Sequence, residues 1–296
     1  MFTTILDAGS LAAAARRLRR SPPAITRALA SLEGRVGARL FQRTSRLLAP
    51  TAAGRRLAAR SRQLLEDYEQ TIDMAEEKRD APLHGLLRVT APILFGRLHI
   101  APLVQAFIKA HPGVRAELVL ANRNLNLVEE NLDVAVRIGP LTEQGLIARR
   151  VGHVRAVLSA SPDYIARRGR PRTPRDLIKH DLVFVSQPTP HNEWRFRASG
   201  REQVVRLAPR FMVTDVEAAL AAARAGGGIT RTLSYQVADD HASGALLRLL
   251  REFELPARPV HLVFPTARHM PRTVRAFLDL AAPALDALKV INPKRI

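Results

Sequence analysis

Three observations predict an α/β chain in which a basic, helical head is joined by one long helix to a larger body. Between Gly9 and Gly54, two short helical patterns flank a turn and lead into an arginine-rich arm. After Thr51, apolar or small residues recur at spacings of four and three, the rhythm of a helix with one covered face. From Leu86 onward strand-like runs alternate with helical ones, as in a sheet flanked by helices.

Within the head, Ser10 is placed to cap a helix whose apolar face is Leu11, Ala14, Ala15 and Leu18. Arg19-Arg20-Ser21 interrupts it, and Pro22-Pro23 opens the next, because proline fits only the first turn of a helix. That second helix is expected from about Ser21 to Val36, with Ile25, Leu29, Leu32 and Val36 inward and Thr26, Arg27 and Ser31 outward. Gly37 suits its C-cap, and Arg39, Arg43, Arg46, Arg55 and Arg56 follow in a segment without acids. Helix, turn, Pro-opened helix and basic arm, in that order, form a winged helix-turn-helix, which lays its second helix in a DNA major groove. Candidate DNA contacts are Ser21, Pro22, Pro23, Ala24, Thr26 and Arg27 on the recognition helix, and Arg43, Ser45 and Arg46 on the wing.

The linker helix carries Leu57, Ser61, Leu64, Tyr68, Ile72 and Ala75 on one stripe. That stripe suits a coiled-coil seam between two chains, or an amphipathic helix lying on its own domain. Ala81-Pro82-Leu83-His84-Gly85 breaks it. In the body, strands are expected at Leu86 to Ala91, Val114 to Leu120, Asp133 to Ile138, Arg155 to Ala160, Val183 to Val185, Val204 to Leu207 and Val260 to Phe264. Helices are expected from Pro92 to His111, Leu125 to Asn131, Asp215 to Ala225 and Pro271 to about Leu288. The repeat predicts mostly parallel sheets in two lobes that share crossovers.

Composition narrows the function classes. The 296 residues suggest about two folded units, and 47% apolar content supports a sizeable core. The net charge of +19 favours a polyanionic partner, but its placement says more than its total. Up to Arg62 the acids are Asp7 and Glu33 alone, whereas Glu66 to Asp80 is acid-rich. The absence of cysteine excludes disulfides, thiolate zinc sites and cysteine nucleophiles, and agrees with a reducing cytoplasm. No run of eighteen uninterrupted apolar residues or signal-peptide pattern is seen, so a soluble cytoplasmic protein without membrane contact is expected. No G-x-S-x-G motif, metal-ligand spacing or complete phosphate loop occurs, and Gly226-Gly227-Gly228 reads as a helix end turning into a strand. The chain is therefore read as no enzyme, with neither metal nor cofactor. A transport or chemosensing solute-binding protein would account for residues 86 to 296 but not for the head, and a nucleoid protein would leave the two-lobed body without purpose.

The head resembles the amino-terminal signature of LysR-type transcriptional regulators at Gly9-Ser10, Ala13-Ala14 to Leu18, Pro23, Thr26-Arg27, Leu32-Glu33, Gly37, Leu40-Phe41, Arg43-Thr44 and Thr51 to Gly54. The body resembles the effector domain of the same family, itself similar to periplasmic solute-binding proteins, in LRVTAP, FGRLHIAPLV, HPGVRAEL, NLVEENLDVAVRIG, LIARRVG, ASPDY, AGGGI and GALLRLL. Pro22 stands where the family has a Gln able to read adenine, Thr26 replaces a Ser, Thr232-Leu233-Ser234-Tyr235 replaces a Leu-Pro segment, and the first helix is shorter. The resemblance implies a head over 1–56, a dimerising linker over 57–80, a hinge over 81–85 and an effector domain over 86–296. Its first lobe is expected at about 86–159 with 262–290, and its second at about 160–261. It also implies binding to an interrupted inverted repeat in double-stranded DNA, a tetramer built as a dimer of dimers, a small-molecule co-inducer of unknown identity, and contact with RNA polymerase.

In open α/β sheets ligands bind beyond the carboxyl ends of the strands. The expected effector site therefore gathers Thr90, Ala91, Pro92, Asn122, Arg123, Arg137, Ile138, Gly139, Gln187, Thr214, Asp215, Gly228 and Arg231. Helix starts near Pro92 and Asp215 favour an anion, and Arg137, a charge ending an apolar strand, is the first choice for holding it. The alternative for Arg137 is a structural ion pair with Glu129 or Asp133, and for Asp215 a helix cap.

Overall fold

The computed structural model describes residues 1–43, 48–75, 82–141, 145–185, 192–198, 200–265 and 270–292. The head comprises α1 (Phe2–Ala8), α2 (Leu11–Arg17), α3 (Pro22–Val36) and an antiparallel wing of β1 (Phe41–Arg43) and β2 (Leu48–Pro50). Local chemistry sets these limits. Gly9, at φ 66°, ends α1, and the Ser10 hydroxyl accepts the Ala13 N–H at 3.2 Å to start α2. Pro22 opens α3, and Gly37, at φ 68°, closes it. Phe2, Ile5, Ala14, Ala15, Ile25, Leu29, Leu40 and Phe41 form the core, with Leu32 at its margin. Val36, expected inward, is 43% exposed because α3 runs on beyond that cluster.

The wing is tied to the helices by named bonds. Glu33 Oε1 accepts the Leu40 N–H at 2.7 Å and the Phe41 N–H at 3.3 Å, so α3 fixes the entry to β1. The linker helix α4 (Ala52–Ala75) starts where the Thr51 hydroxyl donates to Arg39 O and accepts the Gly54 N–H. A Cβ on Gly54 would lie 2.1 Å from Leu40 O, so only glycine lets α4 pass this close to the base of the wing.

Two five-stranded sheets make the body. The first has the order β4-β3-β5-β14-β6, from β3 (His84–Ala91), β4 (Gly113–Leu120), β5 (Val134–Ile138), β6 (Leu146–Val154) and β14 (Arg258–Pro265). Between β3 and β4 runs one long helical segment: α5 (Ile93–Phe95), a π-helical turn (Gly96–Ile100) and α6 (Ala101–Ala110). Ile93–Ala110 is long and apolar enough to cross a membrane, yet Phe95, Ile100, Val104 and Phe107 lie in the first lobe's core with Phe277 of α10 (Arg272–Asp286).

The second sheet has the order β11-β8-β12-β7-β13. Its parts are β7 (Ala156–Ala160), α7 (Pro162–Arg168), β8 (Leu182–Val185), β11 (Phe211–Val213), α8 (Val216–Arg224), β12 (Ile229–Leu233), α9 (Ala238–Ser243) and β13 (Leu247–Leu249). A hairpin of β9 (Glu193–Ala198) and β10 (Arg201–Arg206) covers one face with Trp194, Phe196 and Val205.

The body departs from the sequence reading in its topology, in one helix and in the lobe limits, and it holds β6, β9, β11, β13, α7 and α9 as further elements. The sheets hold as many antiparallel as parallel pairings, because the crossover strands β7 and β14 run back against their neighbours. Leu125 to Asn131 forms turns rather than a helix: Asn126 Oδ1 accepts the Val128 and Glu129 N–H groups as a helix cap would, but Asn131, at φ 52°, ends the segment after one turn. The chain changes sheets between Val154 and Ala156 and is back by Arg258, a few residues ahead of the lobe limits read from the sequence.

Candidate nucleic-acid interface and effector cleft

On the head, Ser21, Pro22, Pro23, Arg27, Ala30 and Ser31 form an exposed face of α3, with Ala24 and Thr26 half-buried beside it. The Thr26 hydroxyl donates to Pro22 O at 3.1 Å, so it is already engaged within the helix. Arg43 ends β1, but its side chain, Ser45 and Arg46 lie outside the described residues. Arg16, Arg17, Arg19 and Arg20 are also exposed, at the end of α2 and in the turn. Sequence reasoning read Arg19 and Arg20 only as an interruption of the helix and gave Arg16 and Arg17 no role, although their placement beside a recognition helix was the available signal.

The segments that follow β3 and β11 lie at the contact between the lobes. Thr90 and Ala91 are buried where β3 ends, and Pro92 leads into α5. Asn122 Oδ1 accepts the Ile93 N–H at 3.2 Å, so one expected anion-binding helix start is occupied by a side-chain oxygen. Opposite, Asp215 Oδ1 accepts the Ala218 N–H at 2.9 Å and caps α8, while Thr214 beside it is exposed. The lobes touch through these helix starts. Arg97 pairs with Glu217 at 3.0 Å, the Phe95 and Tyr235 rings meet edge-on at 5.2 Å, and Val216 packs against the first lobe's core. Burial pushes the Tyr235 hydroxyl up to about 12, so it stays protonated at neutral pH.

Several expected contacts lie elsewhere. Arg137 is only 5% exposed and donates to Leu125 O, on the sheet face it shares with Ala135 beneath the 125–132 turns. Its strand-end position did not reveal that cover. Arg123 pairs with Glu130 at 3.6 Å on the surface. Gly139, at φ 112°, donates to Pro259 O, and Ile138 before it is half-buried. Gly228, at φ 144°, packs so closely that a Cβ would lie 2.4 Å from Asp181 O, which makes it a packing position rather than a ligand cradle. Arg231 lies over the Phe196 ring at 5.9 Å, on the hairpin-covered face of β12. Burial first, then the charge of Arg258, lowers its guanidinium to about 10. Gln187 lies outside the described residues.

Comparison with protein families matches residues 1–55 to the bacterial regulatory helix-turn-helix protein, LysR family, and residues 80–286 to the LysR substrate binding domain. The chain belongs to the LysR family of transcriptional regulators. This LysR-family regulator is 30% identical over 291 residues to LtrA of Klebsiella pneumoniae, a probable HTH-type transcriptional regulator, covering 97% of this chain and 94% of that one. Among solved structures it resembles CrgA, a LysR-type transcriptional regulator from Neisseria meningitidis, with a TM-score of 0.62, 27% identity and 96% of each chain covered. It also resembles full-length AphB of Vibrio cholerae, with a TM-score of 0.60, 28% identity, and 95% of this chain and 96% of that one covered. The LysR-family chain is thus a DNA-binding transcriptional regulator carrying an effector-binding body, and not an enzyme.

Proposed function

We propose that this regulator binds an interrupted inverted repeat as a tetramer built from linker-joined dimers, and that a small organic anion in the interlobe cleft tunes its grip. The exposed face from Ser21 to Ser31, with Arg27 at its centre and Pro22 in place of a polar reader, carries the DNA reading. Pro22 offers only apolar contact at its base step, which shifts polar readout toward Arg27. The wing around Arg43, Ser45 and Arg46 would lie along phosphates or enter the minor groove. Such a protein works on the chromosome in the cytoplasm, with RNA polymerase as a further partner.

The effector reading rests on the segments that follow Thr90–Pro92 and Thr214–Asp215 meeting across the lobes through Arg97, Val216 and Glu217. Arg137 has no part in it, being covered by the turns above. The DNA reading is tested by mobility shift with the upstream region of the protein's own gene at several salt concentrations. Arg27→Ala is expected to cost about 1 to 3 kcal/mol and to relax sequence preference, and Arg46→Ala to flatten the salt slope. Unchanged affinity in both variants would refute the interface.

A further inference from the structure

The polar groups that both lobes bring to the cleft are already engaged by oxygens of the chain itself. Asn122 covers the Ile93 amide, Asp215 caps α8, and Glu217 places a carboxylate oxygen 3.0 Å from the Arg97 guanidinium of the opposite lobe. The last contact differs from the others. The caps join neighbouring parts of one lobe, whereas Arg97 and Glu217 meet only when the lobes are together. Both remain accessible to solvent, with side chains 56% and 43% exposed, so water and solutes reach the pair. Arg97 also sits on the π-helical turn, an irregularity often found at functional sites. Two residues on, His99 keeps a buried Nε2 with no hydrogen-bond partner among the described residues, beside the Phe95 and Tyr235 rings.

We infer that Arg97 is the cleft's carboxylate receptor and that Glu217 is an internal stand-in for the effector, displaced when an organic carboxylate binds. The inference rests on the reading of an anionic effector given above, and it names the recognising residue and the regulation of that site. A guanidinium takes a carboxylate through two parallel N–H bonds. Glu217 meets it through one such bond, from Arg97 Nη2–H to Oε2 at 3.0 Å, and joins the lobes through it. A ligand carboxylate takes over the guanidinium, and Glu217 is released to water. The lobes then settle at a different angle, since one of the contacts between them has been exchanged for one within the first lobe.

The cysteine-free sequence permits a direct test in the full chain. Nitroxides on Lys109→Cys and Asp239→Cys, both exposed and on different lobes, report the interlobe distance by double electron–electron resonance after dilution with unlabelled chain. Glu217→Gln should shift that distribution, and the swapped pair Arg97→Glu with Glu217→Arg should restore it. Binding of sodium acetate, succinate and benzoate is then followed by calorimetry. At least one should bind Glu217→Gln five-fold or more tightly than the unaltered protein, and none should bind Arg97→Gln. An unshifted distance in Glu217→Gln overturns the inference, as does equal affinity with and without Glu217, or affinity retained in Arg97→Gln. In those cases measurable carboxylate binding still leaves the anionic-effector reading standing. Failure of all three carboxylates to bind any form overturns that reading, and the inference with it.

Discussion

Asp133 shows how one side chain makes the fold depend on pH. Its Oδ2 accepts the Arg88 N–H at 2.7 Å, and burial raises its carboxyl from 3.8 to about 6 against the opposing pull of that bond and of the Arg88 charge. Between those values the folded chain holds a proton that the unfolded chain has released, so stability declines as pH rises through that window. Asp133→Asn keeps an acceptor for the Arg88 amide and removes the charge. It is expected to flatten the decline between about pH 4 and 6 and to raise stability at pH 7 by on the order of 1–3 kcal/mol. Urea unfolding of both forms across that range checks it, and identical slopes would count against the assignment. Residues acting within a few positions, such as Ser10, Gly37 and Asp215, were legible in the sequence because their partners are local. Glu33, Asn122 and Arg137 were not, because their roles depend on segments brought to them by the fold.

The linker helix divides between two kinds of cover. Ala58 is buried in the head and Leu57 packs against the same cluster, whereas Leu64, Leu65 and Tyr68 are more than half exposed. The heptad-like stripe therefore begins as intramolecular core and continues as an uncovered seam. The side chains of Ile72 and Ala75 lie outside those described. Leu64→Glu is expected to dissociate the dimer while leaving the head folded, and Leu57→Glu to unfold the head itself, because a charge is buried in each case but against a different partner. Sedimentation and circular dichroism separate the two, and an intact assembly in Leu64→Glu would refute the seam. Elsewhere, β6 escaped notice because Arg149 and Arg150 are exposed on it, so no apolar alternation marks its length. The helices α2, α3, α8 and α10 and the strands β3, β5 and β8 were clearer, each carrying buried apolar residues, whereas β11, with Phe211 and Met212 exposed, was missed.

At the scale of the whole molecule the order of head, linker and two-lobed body could be read from periodicity and punctuation. The pairing of strands could not. Which strands lie antiparallel follows from crossovers held by contacts distant in sequence, such as the two bonds joining the Arg155 backbone to Ser234 and the Gly139 bond to Pro259. The close passage of Gly54 over Leu40 O has a consequence at this scale too. With no room for a side chain there, the wing and the first turns of the linker turn as one piece, and in the proposed dimer the rotational phase of the seam would dictate where each recognition helix points. One alanine inserted between Arg60 and Ser61 advances that phase by about 100°. It should leave dimerisation intact and abolish binding to a two-fold DNA site, and seven inserted residues, close to two full turns, should restore it. Sedimentation with footprinting on the operator would reveal whether the linker sets DNA spacing by its angle rather than by its length alone.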